Sequence, residues 1–565
     1  MARSKELFKV MQYKGDPCLV PARSGDATIE RCKQLAAQIP GLRDDGGDAF
    51  IVGPVPALAA CLELAGQKAP SSMRAQSWTG AVHIPESTAG LTWMPAYQQQ
   101  AAAFIAERMA TGVMINDDVG LGKTFEAIAG LYLADWRAYK GMPSNIVKVV
   151  LCPASLKRQW ASEVEKWYDL HERNNGECQR LCEQKIHIIY PKGDKRSKLP
   201  CPPDVEWVIA YYMDADTVIN DILPGRSYYC IIDEAHNLQG FQTNRTEQVT
   251  MLRTFAIGAI TLTASELFNR SKGLYQLLNL TSPGLWGSPE DWAIRYANGR
   301  RGDFGLEWGE LGNVPELNNQ RDYYRFRRVR QDVGDQLPFD TRYQTVWLEP
   351  PPGNLRLLGD AARSGMVSKE YMAKLNDFKL PIVAESIKSD IIAGLPGITF
   401  TWTREQAELL GAMIPGSMVA HGQDGRKDRI DEVYKYYNRA RQLGHVPQLI
   451  ATIDSLGVGG NLQMFRCINL ASLHYTAELI RQAIGRVARF GQEFDVLVRV
   501  FACRYSPDEH MITTDLFKLA EAQKLDGRAE QDKKKLADAL SLVGDPKKKL
   551  MEIFQKYQQQ EAAGL

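Results

Sequence analysis

The sequence predicts an α/β protein with two parallel-sheet lobes in tandem, a small α+β N-terminal domain and a helical C-terminal tail. Three stretches carry that prediction. The first is a glycine-rich loop, Asp117 to Thr124, between the apolar run Gly112-Val113-Met114-Ile115 and a helix start at Phe125 to Ala129. The second is an apolar strand that ends in the adjacent carboxylates Asp233 and Glu234. The third is a basic helical stretch, Glu478 to Gln492, carrying Gln482, Arg486 and Arg489 at i, i+4 and i+7.

With 565 residues the chain is too long for one core, and 44% apolar with 24% charged residues is ordinary for a globular protein. No run approaches about 18 apolar residues, so no membrane-spanning helix is expected. Met1 to Glu6 lacks the apolar core of a signal peptide, and ten scattered cysteines suit a reducing compartment. The expected location is the cytoplasm of a prokaryote or virus-infected cell, or the nucleus of a eukaryote. Net charge is +1, so any nucleic-acid partner must be held by local basic patches rather than a global field.

Residues 1–88 read as a small separate domain. Phe8 to Met11, Pro17 to Val20 and Ala49 to Val52 are strand candidates. Ile29, Cys32, Leu35, Ala36 and Ile39 share one helical face, and Pro56 to Leu64 reads as a second helix. The order helix, IPGLRDDGGDAFIVGP, helix resembles a degenerate HARP domain of annealing helicases, with Phe50 where tryptophan is usual. In that family the module engages branched or junction DNA. An unrelated small α+β cap is the other reading.

Residues 89–282 form the first expected lobe. Glycines let backbone N–H groups close around phosphates, with a helix N-terminus behind them. Here Gly120 and Gly122 shape the loop, Lys123 reaches the β- and γ-phosphates, and Thr124 holds Mg²⁺. The generic pattern has Gly where Asp117 stands. Upstream, Gln98 in Tyr97-Gln98-Gln99-Gln100 offers an amide that can pair with both edges of adenine.

The stretch VVLCPASLKRQWASEVEKW, Val149 to Trp167, resembles the first nucleic-acid-contacting motif of the SWI/SNF-type ATPases, a branch of helicase superfamily 2. The resemblance makes Ser155, Lys157 and Arg158 candidate backbone contacts, and a solvated helix start is the alternative for the two basic residues. Tyr168 to Pro203 is polar and reads as an insertion. Its His171, Cys178, Cys182 and His187 suggest a zinc site, but their spacing is irregular.

About 110 residues past the phosphate loop, Asp233 is placed to hold Mg²⁺ through water and Glu234 to orient or deprotonate the attacking water. In the family, His236 couples this site to the next motif, whose place is taken by Ala259 to Ser265. Thr263 and Ser265 keep two hydroxyls there, while Ala264 and Glu266 depart from the family pattern. Residues 283–380 are expected to form a helical protrusion and inter-lobe segment. Within it Arg325 to Val333, followed by Leu337-Pro338, resembles the family's RR-x-K-x-DV…LP stretch, and a basic amphipathic surface helix is the bland reading.

Residues 381–507 form the second expected lobe. Trp402 at a strand end, Thr452 and Ser455 are its candidate nucleic-acid contacts. The pattern Q-x-x-G-R-x-x-R-x-G-Q, Gln482 to Gln492, resembles the last superfamily 2 motif, which places Gln482 with the nucleotide. Arg486 and Arg489 then neutralise charge on the transferring phosphoryl group. Residues 508–565 read as a helical tail in which Lys533 to Lys535 and Lys547 to Lys549 alternate with apolar residues.

The resemblance spans residues 91–510. It implies two tandem RecA-like lobes of the P-loop NTPase type, with ATP and Mg²⁺ between them. It further implies a DNA-dependent ATPase and translocase, preferring duplex or branched over single-stranded DNA, with a monomeric motor and no membrane. The HARP-like stretch favours fork remodelling or strand annealing, with a replication, repair or transcription protein as partner. A strand-separating DNA or RNA helicase, a polymerase-associated ATPase that remodels transcription complexes, and a nucleotide-gated DNA-binding scaffold are the alternatives.

Overall fold

The computed structural model describes residues 8–13, 16–22, 26–36, 43–44, 51–52, 58, 61–62, 90–139, 145–175, 185–191, 194–198, 200–240, 243–264, 271–302, 305–349, 369–421, 429–453, 461–473, 477–504, 506 and 508. They fall into two compact units. The first takes in residues 1–118 and 122–333, the second 119–121 and 334–565.

The N-terminal part of the first unit is a small sheet of β1 (Phe8–Tyr13), β2 (Asp16–Pro21), β3 (Arg43–Asp44) and β4 (Ile51–Val52), in the order β1-β2-β4-β3. Its pairs are antiparallel, and a helix spans Asp26–Ala36. Phe8, Leu19, Cys32 and Ile51 are buried there. Leu58, Cys61 and Leu62 are the described residues of the second expected helix; most of the HARP-like stretch between the helices lies outside the described residues.

The main sheet of the first unit contains β5 (Val113–Ile115), β6 (Val147–Cys152), β7 (Ile186–Ile188), β8 (Trp207–Tyr211), β9 (Tyr228–Ile232), β10 (Gly258–Leu262) and β13 (Arg325–Phe326). Their order is β13-β5-β10-β9-β6-β8-β7, and every pairing is parallel. Strands covered on both faces read as apolar runs whose alternate residues enter different cores. Val150 and Cys152 of β6 pack with the helices Ala96–Arg108, Lys123–Tyr139 and Lys157–Asn175. Val147, Val149 and Leu151 pack on the other face, with the helices Asn244–Phe255, Ser271–Thr281 and Pro289–Tyr296. A hairpin of β11 (Arg300–Gly302) and β12 (Gly305–Glu307) follows.

The second unit has its own parallel sheet of β14 (Thr341–Leu348), β15 (Gly397–Thr401), β16 (Met418–Ala420), β17 (Gln448–Thr452), β18 (Cys467–Leu470) and β19 (Val496–Cys503), ordered β14-β19-β18-β15-β17-β16. Helices Lys369–Ile392 and Arg404–Met413 bury Leu380, Val383, Ile387, Ala407 and Leu410 against Ile450 and Phe501. The structure thus has two parallel α/β lobes in tandem.

One expectation is corrected. Tyr168 to Pro203 is not simply an insertion: the helix Lys157–Asn175 runs through its start, and β7 adds an edge strand to the main sheet beside β8. The segment 283–380, expected as a helical protrusion and inter-lobe segment, contributes a strand to each sheet. β13 joins the first sheet, whereas β14 pairs with β19 in the second, so the second sheet draws on residues well before 381. The tail beyond residue 508 lies outside the described residues, and no described helix is long and apolar enough to cross a membrane.

Candidate active site

The phosphate loop leaves the carboxyl end of β5 and enters the helix Lys123–Tyr139. Gly120 and Gly122 sit at φ +90° and +95°, a region in which a side chain is strained. At Gly122 space is also closed: a Cβ would run into Nε2 of Gln98. Gln98 is therefore packed directly against the loop. The Lys123 ammonium donates to the carbonyls of Asp117 at 2.7 Å and Asp118 at 3.3 Å. Thr124 follows, half-buried, in the first turn.

Asp117 is fully buried, and its role is set by Arg328. The Arg328 guanidinium donates from Nε to Asp117 Oδ2 at 2.8 Å and from Nη2 to the same carboxylate and to Glu126 Oε1, the latter at 2.7 Å. Its backbone N–H donates to Asp117 Oδ1 at 2.8 Å, and Nη1 to the carbonyl of Tyr97. Phe326 and Arg328 also accept backbone bonds from Asn116 and Asp118 at 2.8 and 3.0 Å, continuing the β13–β5 ladder. Burial and the Asp117 charge raise the Glu126 carboxyl above the usual carboxylate range. Sequence reasoning missed this triad; the traceable signal is Asp where the loop pattern has Gly.

Asp233 follows β9, its N–H donating to Leu151 of neighbouring β6 at 2.8 Å. Both its carboxylate oxygens accept N–H bonds: Oδ2 from Trp160 Nε1 at 2.8 Å, Oδ1 from the Glu234 backbone at 2.9 Å. The Tyr212 hydroxyl donates to the carbonyls of Asp233 and Glu234. Burial, then the Glu234 charge, push the Asp233 carboxyl up to about 7. Glu234 sits in the left-handed region at φ 47°. Its buried Oε2 lies 3.3 Å from Nδ1 of His236, which is 3.4 Å from the Thr263 hydroxyl. The Thr263 carbonyl accepts from Asn116 at 3.0 Å, and Asn116 Oδ1 accepts from Arg327 at 2.8 Å. Ser265 and Glu266 lie outside the described residues.

In the second unit, the helix Ala477–Val487 carries Gln482 and Arg486, both largely buried. Arg489 lies beyond the end of that helix, not on its face as the spacing predicts; its guanidinium bonds the Asn461 side chain. Gln492 holds the turn in place: its amide donates to the carbonyls of Gln463, Phe465 and Val487 at 2.9 to 3.2 Å. Trp402 and Thr452 stand at the carboxyl ends of neighbouring β15 and β17, the first half-buried and the second buried. Ser455 lies outside the described residues.

Residues 90–350 match the SNF2-related domain family. The chain carries an SNF2-related domain. A Caenorhabditis elegans protein named SWI/SNF-related matrix-associated actin-dependent regulator of chromatin subfamily A-like protein 1 homolog is 23% identical over 74% of this chain and 59% of its own length. The Bacillus subtilis protein named uncharacterized ATP-dependent helicase YqhH is 23% identical over 74% of this chain and 76% of its own. The mouse DNA annealing helicase and endonuclease ZRANB3 is 25% identical over 51% of this chain and 25% of its own. The chain thus spans less than two thirds of the first and third of these relatives.

Within the SNF2-related domain, one expected nucleic-acid contact is corrected. Lys157 is buried at the start of its helix; its ammonium donates to the Ile189 carbonyl and lies 3.8 Å from Asp214, and burial lowers its pKa. It is committed to the interior. Ser155 and Arg158, on either side, are exposed. The domain's His171 is buried among aromatic rings. It stacks on Trp167 with centroids 5.0 Å apart and accepts from Trp93 Nε1 at 3.2 Å; burial pushes it down to about 4. Cys178 and Cys182 lie outside the described residues, and no group of three or more metal-binding side chains occurs among the described ones.

Proposed function

We propose that this chain is an ATP-driven translocase on duplex or branched DNA, working in fork remodelling or strand annealing. The observation that carries the reading is the phosphate loop and the Asp233–Glu234 pair built on one parallel sheet of an SNF2-related domain. Ligands of such sheets bind beyond the carboxyl ends of the strands, where both elements lie. The residues fit a magnesium nucleotide: two positive-φ glycines, a lysine beside the loop carbonyls, a hydroxyl at the helix start and a buried glutamate oxygen.

Bound ATP supplies the phosphoanhydride whose cleavage drives the cycle. Lys123 binds the terminal phosphates, and Thr124 and Asp233 hold Mg²⁺. Glu234 accepts the proton of the attacking water. Gln98 and Gln482 orient the nucleotide, and Arg486 and Arg489 are assigned to its developing charge. Ser155 and Arg158 in the first unit, and Trp402 and Thr452 in the second, are assigned to the DNA backbone, which sets register without reading bases. Relatives named as an annealing helicase and a SWI/SNF-related regulator support a DNA substrate. The small N-terminal sheet is assigned to branched DNA.

The test is ATP hydrolysis without nucleic acid and with single-stranded, duplex and forked DNA or RNA, beside Lys123→Ala. Stimulation by duplex or forked DNA, absent in Lys123→Ala, is expected. Stimulation by single strands or RNA alone would move the assignment to a strand-separating helicase. No stimulation by any of them overturns the motor reading.

A further inference from the structure

We infer that Trp160 is a positioning residue for hydrolysis, its indole N–H fixing the Asp233 carboxylate and tying it to the helix start that meets DNA. This rests on the function proposed above.

Trp160 lies in the first turn of the helix Lys157–Asn175, two residues after exposed Arg158 and five after exposed Ser155. Two residues of helix rise only about 3 Å, so the backbone of Arg158 and that of Trp160 move together. The indole is 2% exposed, and its Nε1 donates to Asp233 Oδ2 at 2.8 Å. The Glu234 N–H occupies the other oxygen at 2.9 Å. Between them the two donors fix the plane of the carboxylate, and a carboxylate that holds a metal depends on such outer partners for its aim. The two elements share a foundation: the helix follows β6, and the Asp233 N–H donates to Leu151 of that strand at 2.8 Å. A phosphate drawing on Ser155 and Arg158 therefore pulls on a turn hydrogen-bonded to the catalytic strand end.

The same helix contains its own control. Trp167 is fully buried in the same core cluster, but its Nε1 has no hydrogen-bond partner among the described residues. Trp160→Phe and Trp167→Phe remove equal indoles from one core, and only the first removes a donor from Asp233.

The experiment measures three quantities for each variant: ATP turnover with and without duplex DNA, duplex affinity, and the Mg²⁺ concentration that half-saturates binding of a fluorescent ATP analogue. For Trp160→Phe, DNA-stimulated turnover is expected to fall about tenfold or more, as loss of a hydrogen bond to a charged group implies. The Mg²⁺ requirement should rise several-fold while duplex affinity stays within about twofold. Trp167→Phe should leave all three near wild type. Wild-type Mg²⁺ dependence and stimulation in Trp160→Phe, or an equal loss in Trp167→Phe, overturns the inference. If duplex DNA fails to stimulate the wild-type protein, the proposed function falls and the coupling falls with it. Mg²⁺-dependent nucleotide binding would still read whether Trp160 positions Asp233.

Discussion

Arg328 binds Asp117 and Glu126 at once, and all three side chains are fully buried. One cation thus serves two carboxylates, one at the root of the phosphate loop and one in the first turn after it. Removing the cation strands both. Arg328→Met should destabilise the first unit by about 3–5 kcal/mol, the usual cost of breaking a buried pair. Arg328→Lys keeps the charge but loses the fork and should cost less. Urea unfolding measures both; a Met variant within about 1 kcal/mol of wild type would show that the triad does not anchor the loop.

Asp233 makes stability depend on pH. Its folded carboxyl is raised to about 7 from 3.8, so the folded state holds this proton more tightly than the unfolded one. Stability from this group is full below pH 4, falls as pH rises toward 7 and stays lost above. Asp233→Asn removes that loss. The variant should melt a few degrees higher than wild type at pH 8 and no higher at pH 4, while hydrolysing ATP at least about a hundredfold more slowly. Paired melting curves at the two pH values decide it; equal shifts at both would contradict the assignment.

Gly122 is constrained twice, by its φ of +95° and by the Gln98 amide, which fills the space a methyl group would need. Gly122→Ala should weaken nucleotide binding at least about tenfold. Adding Gln98→Ala clears the space but leaves the backbone strain of about 1–2 kcal/mol, so the stability lost in Gly122→Ala should return only in part, while nucleotide binding, to which Gln98 is itself assigned, should not return. Thermal melting beside titration with a fluorescent nucleotide separates the two contributions.

Arg158 and Lys157 are neighbours with opposite expected behaviour. Arg158→Ala should weaken duplex binding, reduce its salt slope by about one phosphate contact and leave stability within about 0.5 kcal/mol. Lys157→Ala should chiefly lower stability, by about 1–3 kcal/mol, because it abandons the Ile189 carbonyl in the interior. A salt series for binding and a thermal melt, run on both variants, would refute the division if the two effects were interchanged.

The contrast between those two residues shows what a sequence can and cannot disclose. The phosphate loop and the carboxylate pair were legible because their chemistry needs few residue types at fixed local spacing, next to apolar strands. Lys157 was not, since a lysine at a helix start ordinarily faces water and its partners, Ile189 and Asp214, lie 32 and 57 positions away. Arg328 was hidden for the same reason: Asp117 is 211 positions distant. β7, three residues in a polar stretch, has no periodicity to announce it. Arg489 misled because the spacing i, i+4, i+7 assumes a helix that in fact ends at Val487.

The pairing of β14 with β19 over eight residues governs the order of assembly during synthesis. β14 is an edge strand whose sheet partner is the last described strand of the second unit. As the polypeptide emerges, Thr341 to Leu348 must wait for Val496 to Cys503 before its ladder can close. The first sheet is complete once Phe326 has been made. The first unit can fold while the ribosome is still at work, whereas the second closes only after Val496 to Cys503 have been made, a long-range pairing that is slow to form. A nascent chain halted before Val496 therefore exposes an unpaired strand rich in Tyr, Val, Trp and Leu, the segment through which arrested or truncated copies would aggregate.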